Sequence, residues 1–327
     1  MKHEVFLLSH FSYDTPMNPY EACALCPHRC LVNRLEGERG GCNESSKVRI
    51  AWAGLHRGEE PPISGEAGSG MIFFSGCPLH CSYCQNCQIS SREGYGIEIG
   101  IEALSTLMLA LQEMDTKTLN LVTGTHFIPS IVEALILAKQ KGLALDVVWN
   151  SSGFETIEGL SLIDPYIDLY LIDLKTLDER VSRRFCGSVR YQRSIIQVYD
   201  YLIRRRRTTF IDEEGLLKGV LVRHLLFPGE LEATEEVLRY FARHLKERMY
   251  LSLMVQFEDP KKTNQFPKIS QEEYERLFEL LEALEIENGF VQEIEDSISW
   301  IPDFTQDEPF PATFSEVCPS FLALKRS

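Results

Sequence analysis

Residues 77–87, CPLHCSYCQNC, place four thiols within eleven positions. Thiols this close suit a disulfide framework, a zinc site, a closed four-thiolate iron–sulfur cluster, or a three-thiolate cluster with one iron left open. Cys87 separates the last two. Cys81, Cys84 and Cys87 begin the C-x2-C-x2-C run of a bacterial ferredoxin, but Gln88-Ile89-Ser90-Ser91 follows where that run needs x3-C-P. Cys77, Cys81 and Cys84 instead give C-x3-C-x2-C, and three ligands leave an iron free to take a substrate or cofactor. A second group, Cys23, Cys26, Cys30 and Cys42, supplies four thiols for a tetrahedral zinc or a second cluster, with His28 able to stand in for one. Its spacing does not separate zinc from iron. Cys186 and Cys318 stand apart and read as small buried side chains.

The elements that must position these thiols follow from residue 71 onward. Short, nearly continuous apolar runs at 71–75, 119–123, 143–149, 167–173, 218–226 and 249–255 predict six parallel strands buried on both faces. Amphipathic stretches at 101–114, 129–142 and 234–245 predict the helices between them. A further helix over 270–285, outside the repeats, opens on the capping box Ser270/Glu273 and stops at Asn288-Gly289. Residues 210–217 predict a β-hairpin turning at Glu213-Glu214-Gly215. Six β–α units imply an open doubly wound sheet or a partial barrel, and both bind ligands at the carboxyl ends of their strands. Polar groups recur there: Cys77; Thr123, Gly124 and His126; Asn150 to Gly153; Asp173 and Lys175; Arg223 and His224; Gln256. His126, His224 and Gln256 are candidates to face a substrate.

A net charge of −15 excludes general nucleic-acid binding, because phosphate contacts need a positive field. The run Arg204–Arg207 reads as a solvated helix end. The opening MKHEVFLLSHF is too short for a secretory signal, and no apolar run is long enough to span a bilayer. A cytoplasmic protein with reduced thiols is expected, and clustered thiols there point to metal. Gly58-Glu59-Glu60-Pro61-Pro62 reads as a rigid linker or, alternatively, a lid over the active face.

The loop SGCPLHCSYCQN, with Tyr83 before its last cysteine, resembles the radical SAM superfamily. Over most of the chain the resemblance is closest to the pyruvate formate-lyase activating enzyme-like branch with an extra amino-terminal cysteine motif. LCPHRC, EEPPISGEAGSGMIFFSGC, LVTGTHFIP, NSSGFET, DLYLIDLK, GVLVRHLLFPG, LSLMVQF and IPDF carry it. The resemblance implies a partial (β/α)6 TIM-like barrel over 71–258, preceded by a cysteine-rich module and loop over 1–70 and followed by a carboxyl-terminal extension over 259–327. It implies a [4Fe–4S] cluster on Cys77, Cys81 and Cys84, and S-adenosylmethionine (SAM) held by Thr123, Gly124, Ser152, Asp173, Lys175 and Arg223. Thr123-Gly124-Thr125 replaces the family's Gly-Gly-Glu-like turn and lacks its acidic residue, while Arg223 offers a fork for the SAM carboxylate. The implied activity is reductive cleavage of SAM to a 5′-deoxyadenosyl radical that abstracts hydrogen, with a glycine of a partner protein as the expected donor and a flavodoxin- or ferredoxin-type protein as reductant. The alternatives are an electron carrier or redox sensor with a closed cluster on all four of Cys77, Cys81, Cys84 and Cys87, and a zinc-dependent interaction module.

Overall fold

The computed structural model describes residues 18–90, 95–205, 208–260, 268–294, 301–311 and 313–327. The opening eleven residues, Arg206 and Arg207 lie outside these. Among these residues eleven strands are present: β1 Val48–His56, β2 Ser69–Phe74, β3 Ile97–Ile99, β4 Thr118–Val122, β5 Asp146–Ser151, β6 Leu169–Asp173, β7 Phe210–Ile211, β8 Leu217–Leu225, β9 Tyr250–Met254, β10 Gly289–Val291 and β11 Ser315–Val317. The six predicted strands are β2, β4, β5, β6, β8 and β9. They lie side by side in that order, every neighbouring pair parallel. β10 extends the parallel set beyond β9. At the other edge β1 pairs antiparallel with β2 and itself carries β3 and β11. The sheet does not close on itself, so the architecture is an open partial barrel. One sheet draws on all three sequence segments: β1 comes from before residue 71, β10 and β11 from after 258.

Strand alternation sorts the side chains into two faces. Val147 and Trp149, Tyr170 and Ile172, Val220 and Val222, Leu251 and Leu253 pack outward with the helices Ile101–Glu113, Ile128–Gln140, Tyr191–Arg205 and Leu231–His244. Val148, Leu169, Leu171, Leu217 and Leu221 point into the concave face, where Ile63 completes a smaller apolar cluster. Towards the carboxyl ends the same inward positions become Asn150, Asp173 and Arg223. The concavity is therefore apolar at one end and polar at the other.

The predicted helix and hairpin signals operate as expected. Ser270 Oγ accepts from the Glu273 amide at 3.1 Å while the Glu273 carboxylate accepts from the Ser270 amide at 2.8 Å, opening the helix Gln271–Ala283. The β7–β8 hairpin turns through Gly215, whose φ of +80° is in the left-handed region. Arg205 at the end of its helix pairs with the buried Asp164 at 3.1 Å, while Arg204 is solvated. Among the described residues no helix is long and apolar enough to cross a membrane, and all ten cysteines are free thiols.

Residues 57–68 are neither linker nor lid. They leave β1 and enter β2 at the amino ends of the parallel strands, since His56 pairs with Ser69. The short helix Pro61–Ser64 sits inside the concavity, its Ile63 fully buried and the Ile63 carbonyl accepting from Thr118 Oγ1 at 3.1 Å. Proline at its start fixes φ without losing a needed donor. The segment is a floor, and the polar residues above it form the site.

Candidate active site

Above that floor lies a cavity of about 370 Å³. It is lined by the ends of successive strands: Cys77, Cys81, Tyr83 and Cys84 after β2, Thr123 after β4, Asn150 to Ser152 on β5, Asp173 and Lys175 on β6, Arg223 on β8, and Gln256 after β9. Cys87 is not among the lining residues. Its amide donates to the Cys84 carbonyl at 3.1 Å as the chain enters the short helix Cys87–Ser90. Cys77, Cys81 and Cys84 thus line the cavity together and Cys87 does not.

The loop is shaped by its backbone. Gly76 has φ +78°, and a Cβ there would come within 2.6 Å of Glu44 Cγ and 2.9 Å of the Cys42 carbonyl, so glycine is required both by conformation and by close approach. The Ser82 amide donates to the Phe185 carbonyl at 2.9 Å, tying the loop to the helix Glu179–Phe185. Sulfur acceptors are already supplied with donors: the Leu79 amide lies 3.4 Å from Cys77 Sγ and Ser90 Oγ 3.5 Å from Cys84 Sγ. Burial and the neighbouring Cys81 push the Cys77 thiol up to about 11, and burial with Cys81 and Cys77 pushes Cys84 up to about 12. Cys81 is raised first by its contact with the Cys186 thiol and then by burial. Cys186, read from sequence as a small buried side chain, is fully buried and lies against this cluster thiol. Cys77 is buried and Cys81 and Cys84 half-buried, and all three line the cavity, where a metal centre would displace their protons.

Lys175 and Asp173 form an ion pair at 2.6 Å. Burial alone would lower the Lys175 ammonium, but Asp173, with Tyr83 and Cys81, outweighs it and holds the group well above the usual lysine range. Its Nζ stands 5.5 Å over the Tyr83 ring, whose hydroxyl is buried without a hydrogen-bond partner among the described residues. That orphaned donor on the cavity wall fits a polar ligand such as SAM. Tyr191, which sequence reasoning missed, fixes the pair's backbone: its hydroxyl accepts from the Lys175 amide at 3.0 Å and donates to the Asp173 carbonyl at 2.7 Å.

Glu155 was also missed. It is buried beneath the β5 turn, and one carboxylate oxygen accepts from Thr125 Oγ1 at 3.0 Å, Trp149 Nε1 at 3.1 Å and Ser151 Oγ at 2.5 Å. Ser151 Oγ in turn accepts from the Gly153 amide at 3.0 Å. Burial raises the Glu155 carboxyl despite these donors. It organises the turn that presents Asn150 and Ser152 to the cavity.

Several expected residues have different surroundings. Thr123 lines the cavity with φ +59°, but Gly124 does not: a Cβ there would meet Ile131 Cδ1 at 2.6 Å and the Trp149 ring at 3.0 Å, so it is glycine for packing on the helical side. His126 and His224 do not line the cavity. His126 Nε2 donates to the Ser75 carbonyl at 2.7 Å, and burial followed by the Arg34 charge lowers its pKa to about 3. His224 Nδ1 donates to the Leu174 carbonyl at 2.6 Å and its Nε2 accepts from Thr234 Oγ1 at 3.0 Å, with burial lowering it to about 4. Both are neutral structural histidines. Arg223 does reach the cavity, but its fork is engaged: Nη2 donates to Glu59 at 2.5 Å and Glu60 at 2.6 Å, and Nε to Glu60 at 2.9 Å. Gln256 lines the cavity and donates to the Glu293 carbonyl at 3.0 Å.

At the amino terminus, Cys23, Cys26 and Cys42 are buried and Cys30 half-buried. Burial pushes Cys26 up to about 12, and the nearby Cys42, Cys23 and Cys30 add to it. His28 is not poised to join them, because its Nε2 donates to the Pro78 carbonyl of the cluster loop at 2.7 Å. Among the described residues no group of three or more His, Cys, Asp or Glu side chains is gathered closely enough to hold a single metal ion without rearrangement.

The family model for the radical SAM superfamily matches residues 71–241, the span from β2 through the helix before β9. An uncharacterized protein of Methanocaldococcus jannaschii is 29% identical over 283 residues, 83% of this chain and 77% of its own. Among solved structures, Streptococcus suis SuiB bound to precursor peptide SuiA aligns at a TM-score of 0.48 and 12% identity, over 66% of this chain and 46% of SuiB. HydG, a maturase of the [FeFe]-hydrogenase, aligns at 0.44 and 16%, over 65% and 49% respectively. A domain of the pyruvate-formate lyase-activating enzyme from Bacteroides vulgatus aligns at 0.37 and 14%, over 51% of this chain and 91% of that domain. The aligned region is less than half of SuiB and of HydG. With C-x3-C-x2-C following the first parallel strand of an open barrel, and the family match spanning more than half its length, the chain belongs to the radical SAM superfamily.

Proposed function

We propose that this protein is a radical SAM enzyme that binds one [4Fe–4S] cluster on Cys77, Cys81 and Cys84 and acts on a glycine of a glycyl-radical protein. The observation carrying the first half is that these three thiols, without Cys87, face a cavity whose other walls are polar strand ends. The second half rests on the sequence resemblance to activating enzymes. When bound, the cluster and SAM supply a 5′-deoxyadenosyl radical by reductive cleavage of the sulfonium.

The chain's own residues would hold and shield the reactants. The Asp173–Lys175 pair offers both a carboxylate and an ammonium at one strand end, suited to the two charged groups of an amino-acid moiety. The unpartnered Tyr83 hydroxyl supplies a further donor. Asn150 and Ser152 present amide and hydroxyl groups from a turn that Glu155 holds rigid, and Met71, Phe73 and Phe310 give apolar wall against which water is excluded. A flavodoxin- or ferredoxin-type protein is the proposed reductant and the cytoplasm the proposed compartment.

The test is anaerobic reconstitution with iron and sulfide, then SAM and dithionite, with 5′-deoxyadenosine read by mass spectrometry. Cys81→Ala should abolish product and Cys87→Ala should retain it. Equal loss in both variants would indicate a closed four-thiolate carrier. Purified pyruvate formate-lyase then serves as the hydrogen donor, and an organic radical on it would support the activase role. Product formation without such a radical would discard that substrate and keep the chemistry.

A further inference from the structure

Arg34 is a buried cation with an unusual set of partners. Only 1% of it is exposed. Its Nε donates to the Glu44 carbonyl at 3.1 Å, its two terminal nitrogens donate to the carbonyls of His126 and Ser45, and Nη1 also lies 3.7 Å from Cys23 Sγ. The Tyr20 and Phe127 rings enclose it, with the guanidinium carbon 4.7 and 5.6 Å from their centroids. Among the described residues no carboxylate pairs with it. Carbonyls satisfy its hydrogen bonds, and its charge acts on the nearby buried Glu44 carboxylate, which is shared with Arg49 at 3.3 Å. The sulfur nearest to it is Cys23 Sγ.

The surrounding backbone is built around sulfur. Arg29 and Leu31 are held at φ +45° and +56°, a left-handed conformation that non-glycine residues resist. The Leu31 amide donates to the Cys23 carbonyl at 2.9 Å and the Cys23 amide to the Val32 carbonyl at 3.1 Å. This tight turn folds Cys30 back towards Cys23 and Cys26. The Gly41 amide then donates to Cys30 Sγ at 3.2 Å, and a Cβ on Gly40 would stand 2.8 Å from that sulfur. Backbone strain, a glycine pair pressed on a sulfur and a buried guanidinium beside another all converge on four thiols.

We propose that Cys23, Cys26, Cys30 and Cys42 hold a tetrathiolate metal centre whose negative charge Arg34 compensates, and that this centre braces the cluster loop. Binding of zinc, or of a preassembled [4Fe–4S] unit, replaces four S–H protons with four metal–sulfur bonds and releases the protons to solvent, with no change of oxidation state. The bracing contacts run directly between the two cysteine groups: His28 to the Pro78 carbonyl and His80 Nε2 to the Gly41 carbonyl, each at 2.7 Å, and Glu44 packed under Gly76. Zinc and a [4Fe–4S] cluster share this ligand chemistry.

The experiment uses the full chain carrying Cys77→Ala, Cys81→Ala and Cys84→Ala, so that its metal content is independent of SAM chemistry. One sample is loaded anaerobically with zinc chloride and another with equal parts of ferrous and ferric iron and sulfide; both are desalted and analysed for metal and sulfide. Retention of about one zinc or about four irons with four sulfides, lost when the four amino-terminal thiols are also replaced, supports the centre and says which metal it prefers. A variant with an unchanged circular dichroism spectrum that retains neither, or that retains metal equally without those thiols, overturns it. Arg34→Met should release metal to a chelator about 10–100-fold faster than Arg34→Lys; equal rates would refute the charge role.

Discussion

The engaged fork of Arg223 has consequences that can be worked through. The guanidinium and both carboxylates are largely out of water, with 15% of the Arg223 side chain exposed against 7% for Glu59 and 9% for Glu60. Arg223→Met leaves two buried carboxylates facing each other without a cation. Removing one partner of a buried ion pair destabilises by about 3–5 kcal/mol. With a urea m-value of about 3 kcal/mol per molar, the unfolding midpoint should fall by roughly 1–1.7 M at pH 7. The pH dependence should reverse as well. In the wild type burial pushes the Glu60 carboxyl up, but Arg223 overrides it and holds the group below the usual carboxylate range. Its contribution is therefore complete above about pH 4.3, its unfolded value, and is lost only as the pH falls through the lower folded value. Without Arg223, burial raises the Glu60 carboxyl above its unfolded value, so the variant's deficit relative to wild type should shrink as the pH falls from 7 to 5. Replacing Glu59 and Glu60 with glutamine in the same variant should restore most of the midpoint. An Arg223→Met midpoint equal to wild type, or a deficit relative to wild type that fails to shrink from pH 7 to 5, would refute the reasoning. If the restored triple variant still binds SAM poorly, the guanidinium serves the cofactor as well as the floor; if it binds SAM normally, Arg223 is structural.

Glu155→Ala should leave the Thr125, Trp149 and Ser151 donors unpaired, lowering stability by about 1–3 kcal/mol and raising the KM for SAM. Glu155→Gln, which keeps an acceptor, should stay near wild type at pH 7, and equal behaviour of the two variants would exclude the positioning role. His224, whose pKa burial lowers to about 4, binds its proton in the unfolded chain first, so stability should fall as the pH drops from about 6.5 towards 4, by roughly 3 kcal/mol from this group. Urea midpoints at pH 7 and pH 4.5 measure this, and His224→Gln should flatten the profile while lowering the midpoint at pH 7.

The parallel strands were legible because burial on both faces leaves little room for polar residues, and a run such as IDLYLID has few other uses. The same signal was present in VRIAWAGLH and passed unread, since β1 stands before the alternation begins and has no helix to frame it. β3, β10 and β11 are three residues each, too short to carry a period. Residue type suggested chemistry for His224, but strand alternation argued against it: if Arg223 faces the concavity, its neighbour must face the helices. That step needed no coordinates.

What sequence could not supply was the partner of Arg223. Glu59 and Glu60 lie more than 160 residues away in a proline-rich stretch whose composition describes a linker equally well. Composition is silent on direction; the register of β1 on β2 decides it, by delivering residue 57 to the amino ends of the strands and into the concavity. A similar fact governs the two cysteine groups. Spacing within each group is local and could be read, whereas the contacts that join them, His28 to Pro78 and His80 to Gly41, appear only once the amino-terminal segment packs onto the loop after β2. The proposed ligand sets are therefore local sequence features. The ion pair beneath the cavity and the contacts that hold the cluster loop depend on long-range packing, and substitutions far from any cysteine can alter them.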